Sequence, residues 1–195
     1  MPSGGTRLGT QAVAFGGPAF NGFPKLMGIC PVDVGNTAFS PRATTAAIGT
    51  RTFWSIPVAD RGRHRLTSPG VFGSGTLRPG ESFGYMPFAA ATYLVRDTRT
   101  GARGTLAVPP AASPTSGPTG TVFRITAASV SAPAGYQYRI FVKRPGSARY
   151  VLLKRTAQRA VSFVSTHRGR YRFRVELRTP AGVTAPSPPV QIKVS

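Results

Sequence analysis

The residues of this chain that could do chemistry are few, and most fall in two short stretches. His64 sits in ADRGRHRL (residues 59–66) and Asp97 in VRDTRTGAR (residues 95–103). An imidazole and a carboxylate can share a first-row cation, but two ligands make a poor site. The only thiol, Cys30, lies far upstream of both. Six arginines crowd the pair: Arg61, Arg63 and Arg65 around His64, and Arg96, Arg99 and Arg103 around Asp97. Fixed positive charge raises the free energy of a bound cation. The same guanidinium groups suit phosphate, sulfate or carboxylate groups of a polymer. A second row, Arg168, Arg170, Arg172 and Arg174, alternates with Tyr171, Phe173, Val175 and Leu177. Period-two spacing puts the guanidinium groups on one face of a strand and the apolar set on the other.

Other chemistries find little support. With 5 acidic residues and 2 histidines in 195, no paired carboxylates and no nucleophile–base–orienter set can be assembled, and the reading is not an enzyme. His167 is followed by Arg168 and Gly169 in a turn with no second ligand at metal spacing, and reads as a surface histidine. No Gly-rich phosphate loop is present, and aromatics do not interleave with the basic residues in a recognition signature. Nucleic acid is therefore expected only as a non-specific polyanion. The charge balance is lopsided, with 25 basic against 5 acidic residues and a net +20. Such a surface attracts polyanions such as nucleic acid, anionic cell-wall polymers or acidic lipid, although a strong compositional bias towards arginine gives the same charge with no partner.

The elements that must position these residues read as strands. Gly (23) and Pro (19) are scattered without a collagen-like period, and no stretch sustains a helical period with caps. Strands are expected around Val32–Val34, Thr50–Ile56, residues 82–88, 91–96 and Gly104–Val108, with a loop at 57–63 and a turn-rich run, SPGVFGSGTLRPGES, at 68–82. Residues 109–120, PPAASPTSGPTG, have the composition of a linker, here placed at 110–120. Six further strands follow in 121–195, namely TVFRITAASV, YQYRIFVKR, RYVLLKRT, AVSFVST, RYRFRVELRTP and VQIKV, a spacing that argues a β-sandwich. Residues 1–30 are rich in Gly, Ala and Phe, contain no h-region of a signal peptide, and are expected to be a disordered leader. No segment approaches the ~20 apolar residues of a membrane helix.

In order of parts, residues 31–109 resemble a blue-copper (cupredoxin, plastocyanin-like) domain. The Phe39-Ser-Pro41 segment, the Gly49-Thr50 turn and Trp54 resemble the opening of bacterial cupredoxins, with Trp-Ser-Ile where the family has W-x-N. The resemblance implies that His64 is a remnant of the first copper ligand. It also implies that the loop which should carry cysteine, histidine and methionine carries Asp97, Thr100 and Ala102 instead. Blue copper needs two imidazoles, a thiolate and a weak axial ligand. The expectation is therefore no cofactor, with copper as the alternative, and a His64–Asp97 contact, or one from Asp97 to an arginine, in place of the metal tie. Residues 169–178 followed by TPAGVTAPS resemble the penultimate strand and last hairpin of fibronectin type III or immunoglobulin-like domains, with Tyr171 as the corner tyrosine. The expected architecture is all-β: a cupredoxin-like Greek-key sandwich at 31–109 and a fibronectin type III or immunoglobulin-like sandwich at 121–195. Family resemblance further implies a secreted or cell-envelope protein. The expected role is a non-enzymatic binding or adhesion module for an anionic polymer, with copper-dependent electron transfer as the alternative.

Overall fold

The structure, a computed structural model, describes residues 12–13 and 30–195, with side chains from Val32 onwards. The expectation for residues 1–30 falls outside the described residues except at Ala12–Val13 and Cys30. The described residues contain no helix, so none is long and apolar enough to cross a membrane. Alternating sequences in both halves give two β-sandwiches.

The first sandwich uses ten strands: β1 (Ala12–Val13), β2 (Cys30–Val34), β3 (Phe39–Ser40), β4 (Ala43–Thr45), β5 (Thr52–Ser55), β6 (Leu66–Ser68), β7 (Phe72–Gly73), β8 (Ser82–Tyr85), β9 (Ala91–Asp97) and β10 (Arg103–Val108). They form two sheets, ordered β1-β8-β5-β2-β3 and β4-β10-β9-β6-β7. The pairs β2–β5 and β4–β10 are parallel and the remaining pairs antiparallel. Between the sheets lie Trp54, Phe83, Tyr93 and Leu106, all at most 2% exposed. Trp54, Phe72 and Phe83 pack with ring centroids 5.4–6.0 Å apart. The run read as turns holds β7, and β6 ends on its first residue. These strands are only two and three residues long, too short to show a period.

The second sandwich uses nine strands: β11 (Ala111–Ser113), β12 (Ser116–Gly117), β13 (Val122–Thr126), β14 (Gln137–Lys143), β15 (Val151–Thr156), β16 (Ala160–Val164), β17 (Gly169–Thr179), β18 (Gly182–Val183) and β19 (Val190–Val194). Their sheets run β11-β13-β16 and β12-β19-β17-β14-β15, with β18 beside β17. All six strands expected here are present. The linker expectation for 110–120 is corrected: β11 pairs with β13 in one sheet and β12 with β19 in the other. These ladders use backbone atoms alone, so no apolar period marks them in a Pro/Ser/Thr-rich stretch.

The two sandwiches meet at alanines. Ala89, Ala90, Ala91, Ala127 and Ala128 are at 0% exposure, and the absence of larger side chains lets backbones bond directly. Ala90 N–H donates to the Ala127 carbonyl at 2.8 Å, Ser129 N–H to Phe88 at 2.8 Å and Thr92 N–H to Ala185 at 3.0 Å. The Tyr136 hydroxyl donates to the Gly70 carbonyl at 2.7 Å. Gly70 has φ +66°, and a Cβ there would collide with the Thr179 and Ala181 side chains. Gly70→Ala should therefore lower stability by about 1–3 kcal/mol through overpacking, read as a lower urea midpoint. An unchanged midpoint would mean that this contact does not hold the sandwiches together.

Candidate functional site

Strand alternation carries the two central side chains inwards. On β9, Ala91, Tyr93, Val95 and Asp97 are buried while Leu94 and Arg96 are exposed. Asp97 is the last inward position of that strand. Leu66 of β6 pairs with Asp97, and His64 lies two residues earlier on the same inward phase, between exposed Arg63 and Arg65. A bridge to Leu77 fixes the histidine backbone, with His64 N–H to Leu77 O at 2.9 Å and Leu77 N–H to His64 O at 2.8 Å. Gly101, at φ +80°, closes the β9–β10 turn in a conformation that disfavours other residues.

His64 Nδ1 and Asp97 Oδ2 are 2.6 Å apart, and both side chains are fully buried. The second Asp97 oxygen accepts the amides of Arg65 at 3.1 Å and Arg99 at 2.9 Å. The Thr100 hydroxyl donates to Oδ2 at 2.8 Å. Burial opposes ionisation of this carboxyl, but the Arg99 and Arg65 amides, Thr100 and His64 outweigh it, and its pKa lies below the ordinary value of 3.8. An ionised Asp97 makes Nδ1 the hydrogen-bearing nitrogen. On the other side of the ring, Nε2 is buried without a hydrogen bond, 3.4 Å from Asp60 Oδ2. Asp60 is itself lowered, first by the Gly62 amide, which donates to it at 2.7 Å.

Asp97 thus ties the His64–Arg65 segment to the turn that follows β9. Around this knot Arg61, Arg63, Arg65, Arg96, Arg99 and Arg103 are all exposed. Arg96 and Arg103 face each other directly across β9–β10, and like charges in that position repel. The four expected arginines of the second sandwich lie elsewhere. Arg170, Arg172 and Arg174 alternate along β17, with Arg168 just before it. Tyr171 points inwards and its hydroxyl donates to the His167 carbonyl at 3.0 Å. His167 is exposed, as its turn context implied.

The donor set does not fit a blue-copper centre. Such a centre needs a thiolate and two imidazoles converging on one point. Here the two carboxylates flank opposite nitrogens of one ring, and Cys30 opens β2 in the other sheet. Among the described residues no group of three His, Cys, Asp or Glu is arranged to hold a metal. Two partners were not foreseen. Thr100 is a donor to Asp97 rather than an empty ligand position, and Asp60 sits against Nε2. The D-x-x-x-H spacing of Asp60 and His64 is the signal that could have found the second.

No protein-family model matches the chain, and no curated protein matches it. Solved structures that match include cupredoxins, at low similarity. A reduced mutant of amicyanin gives a TM-score of 0.39 at 16% identity, covering 43% of this chain and 84% of that one. A reduced Cu(I) form of another amicyanin mutant at pH 4 gives 0.38 at 14% identity, with the same coverage. A purple cupredoxin from Nitrosopumilus maritimus gives 0.37 at 19% identity, covering 40% of this chain and 97% of that one.

Proposed function

We propose that this chain is a non-enzymatic, exported binding or adhesion module that holds an anionic polymer. Its first sandwich is a cupredoxin-like domain that has exchanged its copper for a carboxylate–imidazole contact, and its second is of the fibronectin type III or immunoglobulin-like kind. One observation carries the reading: the buried 2.6 Å contact between His64 and Asp97. That contact closes the two loops on each other and leaves six arginines exposed around them. The Tyr171 bond to His167, four residues upstream, supports the second half, since a corner tyrosine makes that kind of contact.

Two measurements on the full chain test this. On a heparin column the protein should elute only at raised salt, and Arg63→Gln/Arg65→Gln/Arg99→Gln should elute distinctly earlier, because charge-driven retention tracks the number of contacts. Added Cu(II) should give neither stoichiometric bound metal nor a thiolate-to-copper colour. Elution of the wild type at low salt would end the polyanion reading. Stoichiometric blue colour would restore electron transfer in its place.

A further inference from the structure

The outer face of the larger sheet in the second sandwich carries a dense row of basic side chains. Its strands place like charges directly opposite one another three times: Arg170 against Lys193, Arg172 against Lys143, and Arg139 against Arg155. Directly opposed like charges destabilise a sheet. Glu176 is the only acidic residue after position 110, and it is taken by Arg139 at 2.9 Å. Arg172 has a long bond to Gln191 at 3.4 Å. Arg174 lies with its guanidinium 4.3 Å over the Tyr150 ring, and Arg139 lies 5.3 Å over Phe141. The Nε atoms of Arg139 and Arg174 have no hydrogen-bond partner among the described residues.

We propose that this face binds a linear phosphodiester polymer without bases, of the polyol-phosphate kind, laid along β17. The inference rests on the anionic-polymer reading above and assigns it a surface and a partner chemistry. The spacing carries the argument. Arg170, Arg172 and Arg174 point the same way, so their Cα atoms repeat every ~6.6–6.8 Å. A polypeptide spans at most ~3.6 Å per three backbone bonds, so a six-bond phosphodiester repeat spans about 7 Å when extended. An extended strand of such a polymer therefore sets one phosphate at each arginine. Arginine in place of lysine suits this role, because its planar fork takes two phosphate oxygens at once. The cross-strand cations Lys193 and Lys143 widen the row into a band, which a mobile chain can occupy in several registers.

The same six-bond spacing belongs to single-stranded nucleic acid, and the aromatic residues separate the two. Single-strand binders offer open rings on which bases stack. Here Phe141 and Tyr150 lie beneath guanidinium groups. Two clefts of this sandwich, of about 600 and 500 Å³, are lined by residues other than Arg170, Arg172 and Arg174. With those two rings covered, the face reads charge and spacing. Tyr150 and Phe141 hold the guanidinium groups in place.

The test is titration of the full chain with poly(glycerol phosphate) and with a dT homopolymer of matched phosphate number, at several salt concentrations. Glycerol phosphate polymer should bind more tightly than dT, with log K falling linearly in log salt. Arg170→Gln/Arg172→Gln/Arg174→Gln should weaken it roughly 100-fold at low salt and make the slope shallower by about 2, three phosphates at about 0.7 each. Lys143→Gln/Lys193→Gln, which removes no aromatic contact, should weaken it about tenfold, so the result does not depend on the triple variant folding normally. Tighter binding of dT overturns the base-free partner. Loss of binding in Arg63→Gln/Arg65→Gln/Arg99→Gln, with the β17 variants unchanged, moves the site to the first sandwich and leaves the general reading standing. No binding to either polymer, together with no retention on heparin, ends both.

Discussion

Asp97→Ala should cost the first sandwich about 3–5 kcal/mol, because it strips the acceptor from several buried donors at about 1–3 kcal/mol each. The loss has several sources. Four donors converge on this carboxylate: His64 Nδ1, the amides of Arg65 and Arg99, and the Thr100 hydroxyl. Removing the acceptor leaves a fully buried imidazole with no partner on Nδ1 and only a long contact on Nε2. Each buried donor left unpaired costs about 1–3 kcal/mol, although the amides can partly recover water. Asp97→Asn should cost less, because it keeps one acceptor oxygen. Urea unfolding followed by Trp54 fluorescence is the natural readout, since that ring is buried in the same sandwich. A loss below about 1 kcal/mol would show that the contact is not what closes this end, and that outcome would falsify the metal-replacement idea.

The acid limb follows from the same residue. The folded pKa of Asp97 is depressed below 3.8, so its stabilisation is complete above that value and disappears as pH falls through the lower, folded one. Wild type should thus lose stability more steeply below about pH 4 than Asp97→Asn does.

Phe173→Ala should be as damaging to the second sandwich, at about 3–5 kcal/mol for a fully buried aromatic. Phe173 has no exposure, and its ring lies edge-on to Phe163 with centroids 5.0 Å apart. β17 is the central strand, with Phe173 opposite Val142 of β14 on one side and Val190 of β19 on the other. The cavity therefore opens where neither neighbour can collapse cheaply. Phe173→Leu should cost clearly less, since more of the volume is kept. Phe141→Ala, on the outer face of β14, should also cost less, because that side chain is only half-buried. A domain has about 5–15 kcal/mol in hand, so Phe173→Ala should also degrade the arginine row that shares its strand. Equal losses for Phe173→Ala and Phe141→Ala would contradict the assignment of the two faces.

Much of the fold is written in local pattern. The alternation in residues 169–178 fixes which face of β17 is core and which is basic, because successive side chains of an extended chain must point to opposite sides. Five of the six long segments of the second half show that alternation; β15, paired to β14, does not and leaves most of its side chains outside. Very short strands were not legible. β6, β7, β11 and β12 have two or three residues each, and their pairing is a matter between backbones. Nor was the alanine seam between the sandwiches, since an alanine run says nothing about what its backbone touches. The opposition of Arg170 to Lys193 and of Arg139 to Arg155 depends on register across strands far apart in sequence.

The sequence alone determined that this chain is all-β, strongly basic, and short of a thiolate at the loop after His64. Those follow from composition and a two-residue period. Only the tertiary structure decided that Asp97 meets His64, that Asp60 faces the ring's other nitrogen, and that guanidinium groups cover Tyr150 and Phe141. Each of those is a contact between segments brought together by sheet pairing, and pairing is chosen by the whole set of backbone hydrogen bonds and buried side chains together.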